Sequence, residues 1–215
     1  MVYEGTTNFG FFTREALASQ IGIRGVDPGS DGLSPEEVKQ APHGVLTAYV
    51  PESPEDRRRD PGAGMAMPAT AIRMIDRIDA HVPDGGPKGL GYICGSKPVD
   101  PHAWFFKAHF YQDPVCPGSL GLDAMIQLLK FMAEDRWRHL RRTHMVSLAT
   151  GQRHRWTYRG QITPTNKRME IHAIATHVQE SPCPEIHADG YLKVDGLCIY
   201  KLENFGIRLV PVHRE

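Results

Sequence analysis

Trp104-Phe105-Phe106-Lys107-Ala108-His109-Phe110-Tyr111-Gln112-Asp113-Pro114-Val115-Cys116-Pro117-Gly118-Ser119-Leu120-Gly121-Leu122-Asp123-Ala124-Met125-Ile126-Gln127 decides the fold of this chain. It reads as an aromatic strand joined to an apolar helix by a loop rich in Pro and Gly. From Gly118 to about Trp137 apolar residues cover nearly the whole helix circumference, the pattern of a helix buried in a core. The segment turns polar after Ala133, too soon for a membrane span. Pro117 suits the helix start, where no N–H is needed. The free N–H groups near Gly118 and Ser119, with the helix dipole, make a place for partial negative charge.

Two titratable side chains, His109 and Asp123, fall in surroundings that otherwise exclude water. Asp123 lies on the second turn of the helix, where a lone carboxylate is costly unless paired or protonated. Gln127, four residues on, shares its face and is positioned to hydrogen-bond it. Taken singly, Asp123 reads equally well as a loop brace and His109 as a satisfied core residue. Together, with a helix N-terminus between them, they make an acid/base pair suited to proton chemistry near neutral pH.

The stretch resembles the active-site segment of the bacterial β-hydroxydecanoyl-acyl-carrier-protein dehydratase/isomerase family, W-F-F-x-x-H-F-x-x-D-P-V-x-P-G-x-L-G-L-D-A-M-x-Q-L, at every fixed position. Gly160-Gln161-Ile162-Thr163-Pro164-Thr165-Asn166-Lys167 resembles that family's G-Q-[VI]-x-P-T-x-K turn. The likeness runs from about Met67 to Leu209. It implies an α+β hot-dog fold, a long helix wrapped by a curved antiparallel sheet, acting in pairs. It implies dehydration of a β-hydroxyacyl thioester to the enoyl thioester, with or without isomerisation. His109 would take the α-proton, the Gly118 N–H would bind the carbonyl oxygen, and Asp123 would protonate the leaving hydroxyl. Val115, Ser119 and Gln127 join Gly118 as oxyanion or substrate-binding positions. His and Asp of one site would come from opposite hot dogs. The implied partners are an acyl carrier protein, whose phosphopantetheine carries the substrate, and a second hot-dog domain. No cofactor or metal is expected.

Outside the stretch, Met169, Ile171, Ala173 and Ala175 alternate with polar residues as in a half-buried strand. Ile186, Ala188, Leu192 and Val194 repeat the pattern. Asp195-Gly196 marks a two-residue hairpin before Leu197-Cys198-Ile199-Tyr200. Thr70 to Ala80 reads as a first strand or short helix. Tyr92 to Ser96 and Ser147 to Tyr158 read as further strands. One buried helix followed by long strands favours α+β over alternating α/β.

Val2-Tyr3-Glu4-Gly5-Thr6-Thr7-Asn8-Phe9-Gly10 echoes Ile199-Tyr200-Lys201-Leu202-Glu203-Asn204-Phe205-Gly206. This repeat resembles the tandem dehydratase domains of polyunsaturated fatty acid synthases. Residues 1–12 are accordingly expected to be the remnant of a preceding hot dog, 13–66 a Pro- and Gly-rich linker, and 67–215 the dehydratase domain.

With 25 basic and 25 acidic residues in 215, the chain has no general nucleic-acid footprint. Arg136, Arg138, Arg141, Arg142, Arg153 and Arg155 cluster locally, either as a solvated helix end or as a landing patch for an acidic carrier protein. Four cysteines without close spacing suggest a reducing, cytoplasmic setting without a zinc site. Gly118-Ser119-Leu120-Gly121 is no nucleophile elbow, and Gly89-Leu90-Gly91 no dinucleotide loop. Two competing readings are a hot-dog thioesterase, which would release free acid, and an idle hot dog that only completes a partner's site.

Overall fold

Helix α2, Gly118–Arg136, is the axis of the molecule. In this computed structural model the described residues are 5–8, 13, 15, 19–26 and 67–212. Ala124, Met125, Leu128, Leu129, Met132 and Ala133 of α2 are buried against the sheet. Leu120, Leu122 and Ile126 are only partly covered. The all-round apolar pattern therefore resolves into a sheet-facing side and a half-exposed side.

The sheet holds β1 (Arg77–Val82), β2 (Tyr92–Pro98), β3 (His144–Leu148), β4 (Arg155–Tyr158), β5 (Arg168–Gln179), β6 (Glu185–Val194) and β7 (Leu197–Pro211). Its order is β1-β2-β5-β6-β7-β3, with β4 pairing β7 beyond β3. Every pairing is antiparallel. A curved antiparallel sheet around one long helix is the expected hot-dog arrangement.

Bulges supply the curvature. Register shifts occur at Ile78/Ala80, Ala175/His177 and Ala188/Gly190. Opposite the last, Asn204 takes a positive φ of 57°. Its N–H donates to Asp189 Oδ1 at 2.8 Å, and its Nδ2 to the Arg153 carbonyl at 2.9 Å. An extra residue in the left-handed region bends a long strand at a defined point. Here it divides the β4-paired part of β7 from the β3-paired part. Asp195 and Gly196 have φ of 49° and 86°, the backbone of a primed two-residue turn.

Three expectations change. Trp104–Phe110 is not a strand: Phe105–Ala108 forms a single helical turn, α1. Adjacent Phe105 and Phe106 are both buried, whereas a strand would point them to opposite faces. Ser147–Tyr158 is not one strand but β3 and β4, each matched to its own length of the bent β7. Strand β5 is buried on both faces, not one, and so is its neighbour β2. On the outer face Tyr92, Cys94, Ile174, Tyr191 and Cys198 pack with Ile23 and Val26.

Those last two residues belong to the span read as linker. Apart from residues 13, 15 and 19–26, that span lies outside the described residues, as does the opening Val2–Phe12 apart from residues 5–8. No helix among the described residues is long and apolar enough to cross a membrane.

Candidate active site

The Asp100 side chain accepts the His102 N–H at 2.8 Å and starts the turn that becomes α1. Trp104 Nε1 donates to the Ala71 carbonyl at 2.8 Å, and Phe105 and Phe106 fill the core. The His109 N–H donates to the Phe105 carbonyl at 3.0 Å, which places His109 on the last residue of the turn. Its ring lies 4.0 Å from that of Phe110. His109 Nδ1 is 3.2 Å from the Val115 carbonyl oxygen. A carbonyl can only accept, so Nδ1 carries the hydrogen. The Nε2 of the neutral ring then presents a lone pair, as a base requires.

Val115 and Cys116 share a peptide unit used on both sides. Its C=O receives His109, and its N–H donates to the Ile162 carbonyl at 2.9 Å. The Ile162–Thr163 peptide is held in turn by its own N–H, which donates to Asn166 Oδ1 at 2.7 Å. Asn166 Nδ2 reaches Asp195 Oδ2 at 3.0 Å, and Asp195 Oδ1 accepts the N–H groups of Lys167 and Arg168 at 3.0 Å each. The Pro-Thr-Asn turn, anchored by the β6–β7 hairpin, thus holds the peptide that orients His109. This links the two sequence blocks physically. The signal was present in the turn chemistry of Thr163–Asn166, but its partner 46 residues upstream was not legible.

At the start of α2, the N–H groups of Gly118 and Ser119 form no hydrogen bond among the described residues. A Cβ on Gly118 would stand 2.9 Å from Trp156 Cη2. The indole edge therefore lies against the helix N-terminus, backed by Tyr158 and Tyr200, whose rings are 4.7 Å apart. Trp156 was not singled out from sequence, because its short strand carries no periodic signal. Cys116 offers no thiolate there: burial pushes its thiol up to about 12.

Asp123 is half-buried on α2. Its Oδ2 accepts Gln127 Nε2 at 2.6 Å, the pairing expected from their spacing. Gln127 itself is completely buried. Its Nε2 also donates to the Ile72 carbonyl at 3.1 Å, and its Oε1 accepts the Met74 N–H at 2.8 Å. Its amide groups are thus engaged inside the chain. It clamps the segment before β1 to the helix and holds Asp123.

His109 and Asp123 do not hydrogen-bond each other. Nor are they shielded as expected: Trp104 is 50% exposed, Phe110 55%, Tyr111 90% and Ile72 44%. Trp104, Phe110 and Tyr111 form an open aromatic rim beside His109. The four cysteines are free thiols, and no group of three metal-ligating side chains occurs among the described residues.

Residues 67–203 match the family described as FabA-like domain. Over 218 aligned residues, 96% of this chain, it is 35% identical to a subunit of the polyunsaturated fatty acid synthase of Thraustochytrium sp. (strain ATCC 26185 / S-3). The chain spans 14% of that relative's length. Among solved structures, the dehydratase heterocomplex ApeI:P from Xenorhabdus doucetiae aligns with a TM-score of 0.44 at 10% identity, covering 67% of this chain and 86% of that one. A mutant thioesterase from Pseudomonas aeruginosa aligns with a TM-score of 0.40 at 13% identity, covering 56% and 76%.

Proposed function

The chain belongs to the FabA-like domain family, and on that premise we propose that it dehydrates a β-hydroxyacyl thioester carried on the phosphopantetheine of an acyl carrier protein, within fatty acid or polyketide synthesis. The observation that carries the reading is the His109–Val115 hydrogen bond. It leaves Nε2 as the basic nitrogen on a side chain at the rim of a helix N-terminus.

His109 Nε2 removes the α-proton of the substrate. The electron pair moves toward the thioester carbonyl, whose oxygen is held by the Gly118 N–H; a donor so placed is worth ~3 kcal/mol. The Cα–Cβ double bond forms as the β-hydroxyl leaves with a proton from Asp123. His109 ends protonated and Asp123 ionised, and return of the proton from imidazolium to carboxylate resets the site. Val115 and Gln127 orient these two groups. Ser119 adds a second N–H beside Gly118.

In this reading His109 of one hot dog works with Asp123 of another. The lack of a hydrogen bond between them within one chain supports this, as does the uncovered rim of Ile72, Trp104, Phe110 and Tyr111. An acidic carrier protein would approach the basic cluster. Arg136, Arg138 and Arg141 are paired with Glu180, Asp135 and Glu134. Arg142, Arg153 and Arg155 remain exposed for that contact.

The test is incubation of the chain with a short 3-hydroxyacyl thioester, followed by mass spectrometry. Loss of water with the thioester intact is expected. Release of free acid would assign a thioesterase instead, and an unchanged substrate a non-catalytic partner domain.

A further inference from the structure

Gln20 lies 47 residues before the start of the family match, yet its side chain reaches into the scaffold of the site. Gln20 Oε1 accepts the N–H of Gln161 at 2.7 Å. The approach depends on Gly160, since a Cβ there would stand 2.6 Å from Gln20 Oε1. Two residues on, Gly22 adopts a φ of +63°, and a Cβ at that position would collide with the Cys198 carbonyl. The Ile23 N–H donates to that same carbonyl at 2.9 Å. Ile23 and Val26 then pack on the outer face of the sheet. Residues 20–26 are thus seated by two hydrogen bonds, two close backbone approaches and apolar contact.

What they seat on matters. Gln161 adjoins Ile162, whose carbonyl holds the Cys116 N–H at 2.9 Å. That N–H belongs to the same peptide as the Val115 carbonyl that holds His109 Nδ1. From Gln20 to His109 there are three hydrogen bonds, linked by one dipeptide and one peptide plane. We infer that Gln20 is a positioning residue for His109, and that residues 20–26 are a strap that belongs to the working unit. The inference rests on His109 being the base of the dehydration proposed above. Without the strap, the Gly160–Ile162 segment keeps the Arg159–Ile199 hydrogen bond on one side of Gln161. It loses its anchor at Gln161 itself. The Val115–Cys116 peptide can then tilt, and the imidazole with it.

The experiment uses the full 215-residue chain with Gln20→Ala and Gln20→Glu. The glutamate keeps an acceptor oxygen at the same reach. Turnover of a 3-hydroxyacyl pantetheine thioester is measured across pH, and the ring-nitrogen signals of His109 are read by ¹⁵N NMR. Misplacement of a catalytic group by a fraction of an ångström predicts a fall in kcat of about tenfold for Gln20→Ala, with KM little changed. The His109 signals should move from a single tautomer toward a mixture, and Gln20→Glu should restore both. Wild-type kcat and unmoved signals in Gln20→Ala would overturn the inference, even if its Tm fell. Equal losses in the two variants would overturn it as well, because the acceptor would then not be the cause. A wild-type chain inert toward the thioester would overturn the dehydratase reading instead. The tautomer signals need no substrate and would still decide the role of Gln20.

Discussion

Among the described residues His109 makes one side-chain hydrogen bond, to a carbonyl oxygen, and that bond determines which ring nitrogen carries the hydrogen. His109→Ala removes the proposed base while leaving Val115 held through the adjoining N–H of Cys116. Water loss from a 3-hydroxyacyl thioester is expected to vanish. Loss of a half-buried hydrogen bond costs about 1 kcal/mol, a Tm change of about 2–4 °C for a chain of this size. Scanning calorimetry beside the activity assay checks both parts; a folded variant with normal turnover would remove His109 from the mechanism. Asp123→Asn keeps the shape and can still accept Gln127 Nε2 through its amide oxygen. It has no acidic proton to give the leaving hydroxyl, so the rate should fall by ~10² or more. An unchanged rate would reduce Asp123 to a partner of Gln127. Both residues were legible in sequence because His, Asp and a helix N-terminus stand within 15 residues. The groups that orient them were not: Met74, which binds Gln127, is 53 residues away.

Between α2 and β7 the packing is set by residues that are small where the opposing side chain is large. A Cβ on Gly121 would fall inside the Tyr200 ring, with Cδ2 at 2.7 Å. Tyr200 is fully buried and braced by Tyr158 and Trp156, so it has no free direction to move. In an exposed helix, Gly→Ala stabilises by about 1 kcal/mol. Here overpacking costs about 1–3 kcal/mol or more and outweighs that gain. Gly121→Ala is therefore expected to lower the guanidinium midpoint, and a midpoint at or above wild type would show that the ring yields. Sequence patterning located α2, β5, β6 and the Asp195-Gly196 turn because each carries a strong local period or turn signal. It misassigned α1 because aromatic residues favour strands. In the fold, Phe105 and Phe106 lie in a single helical turn outside the sheet, and both rings are buried. The Asn-Phe-Gly of residues 204–206 has a structural meaning that the repeat alone did not reveal. Asn204 makes the bend, and Gly206 leaves room for the His187 ring, whose Nδ1 would be 2.9 Å from a Cβ.

The molecule as a whole buries histidines on both sides of its sheet, His172 on the outer face and His81 against α2. His172 hydrogen-bonds the Tyr92 hydroxyl through Nδ1 at 3.0 Å. Burial, with a smaller contribution from the Lys193 charge, lowers it from 6.5 to about 4. Burial likewise lowers His81, against the pull of Asp135. A histidine depressed in the folded state binds its proton more readily when unfolded. Its stabilisation is full above pH ~6.5 and is lost as pH falls toward ~4, about 3 kcal/mol for His172. Urea titrations between pH 7 and 4.5 should show a shallower fall in stability for His172→Gln than for wild type. Parallel slopes would mean that His172 does not titrate with unfolding.

The sequence by itself determined the buried helix, the long strands and the primed hairpin, and it singled out His109, Gly118 and Asp123 as candidates. These are written in local periods, turn residues and one dense motif, each complete within a few turns of chain. Only the tertiary structure decided that β2 and β5 are buried on both faces, that β7 bends at Asn204 to serve two short partners, and that Gln127 works inside the chain. Only the fold brings the 160–167 turn under the peptide that orients His109. The physical reason is that a backbone amide satisfied across 40 or more residues leaves no trace in composition or period. Its partner is chosen by how the sheet curves around the helix, and that curvature comes from bulges whose positions appear only when the strands are paired.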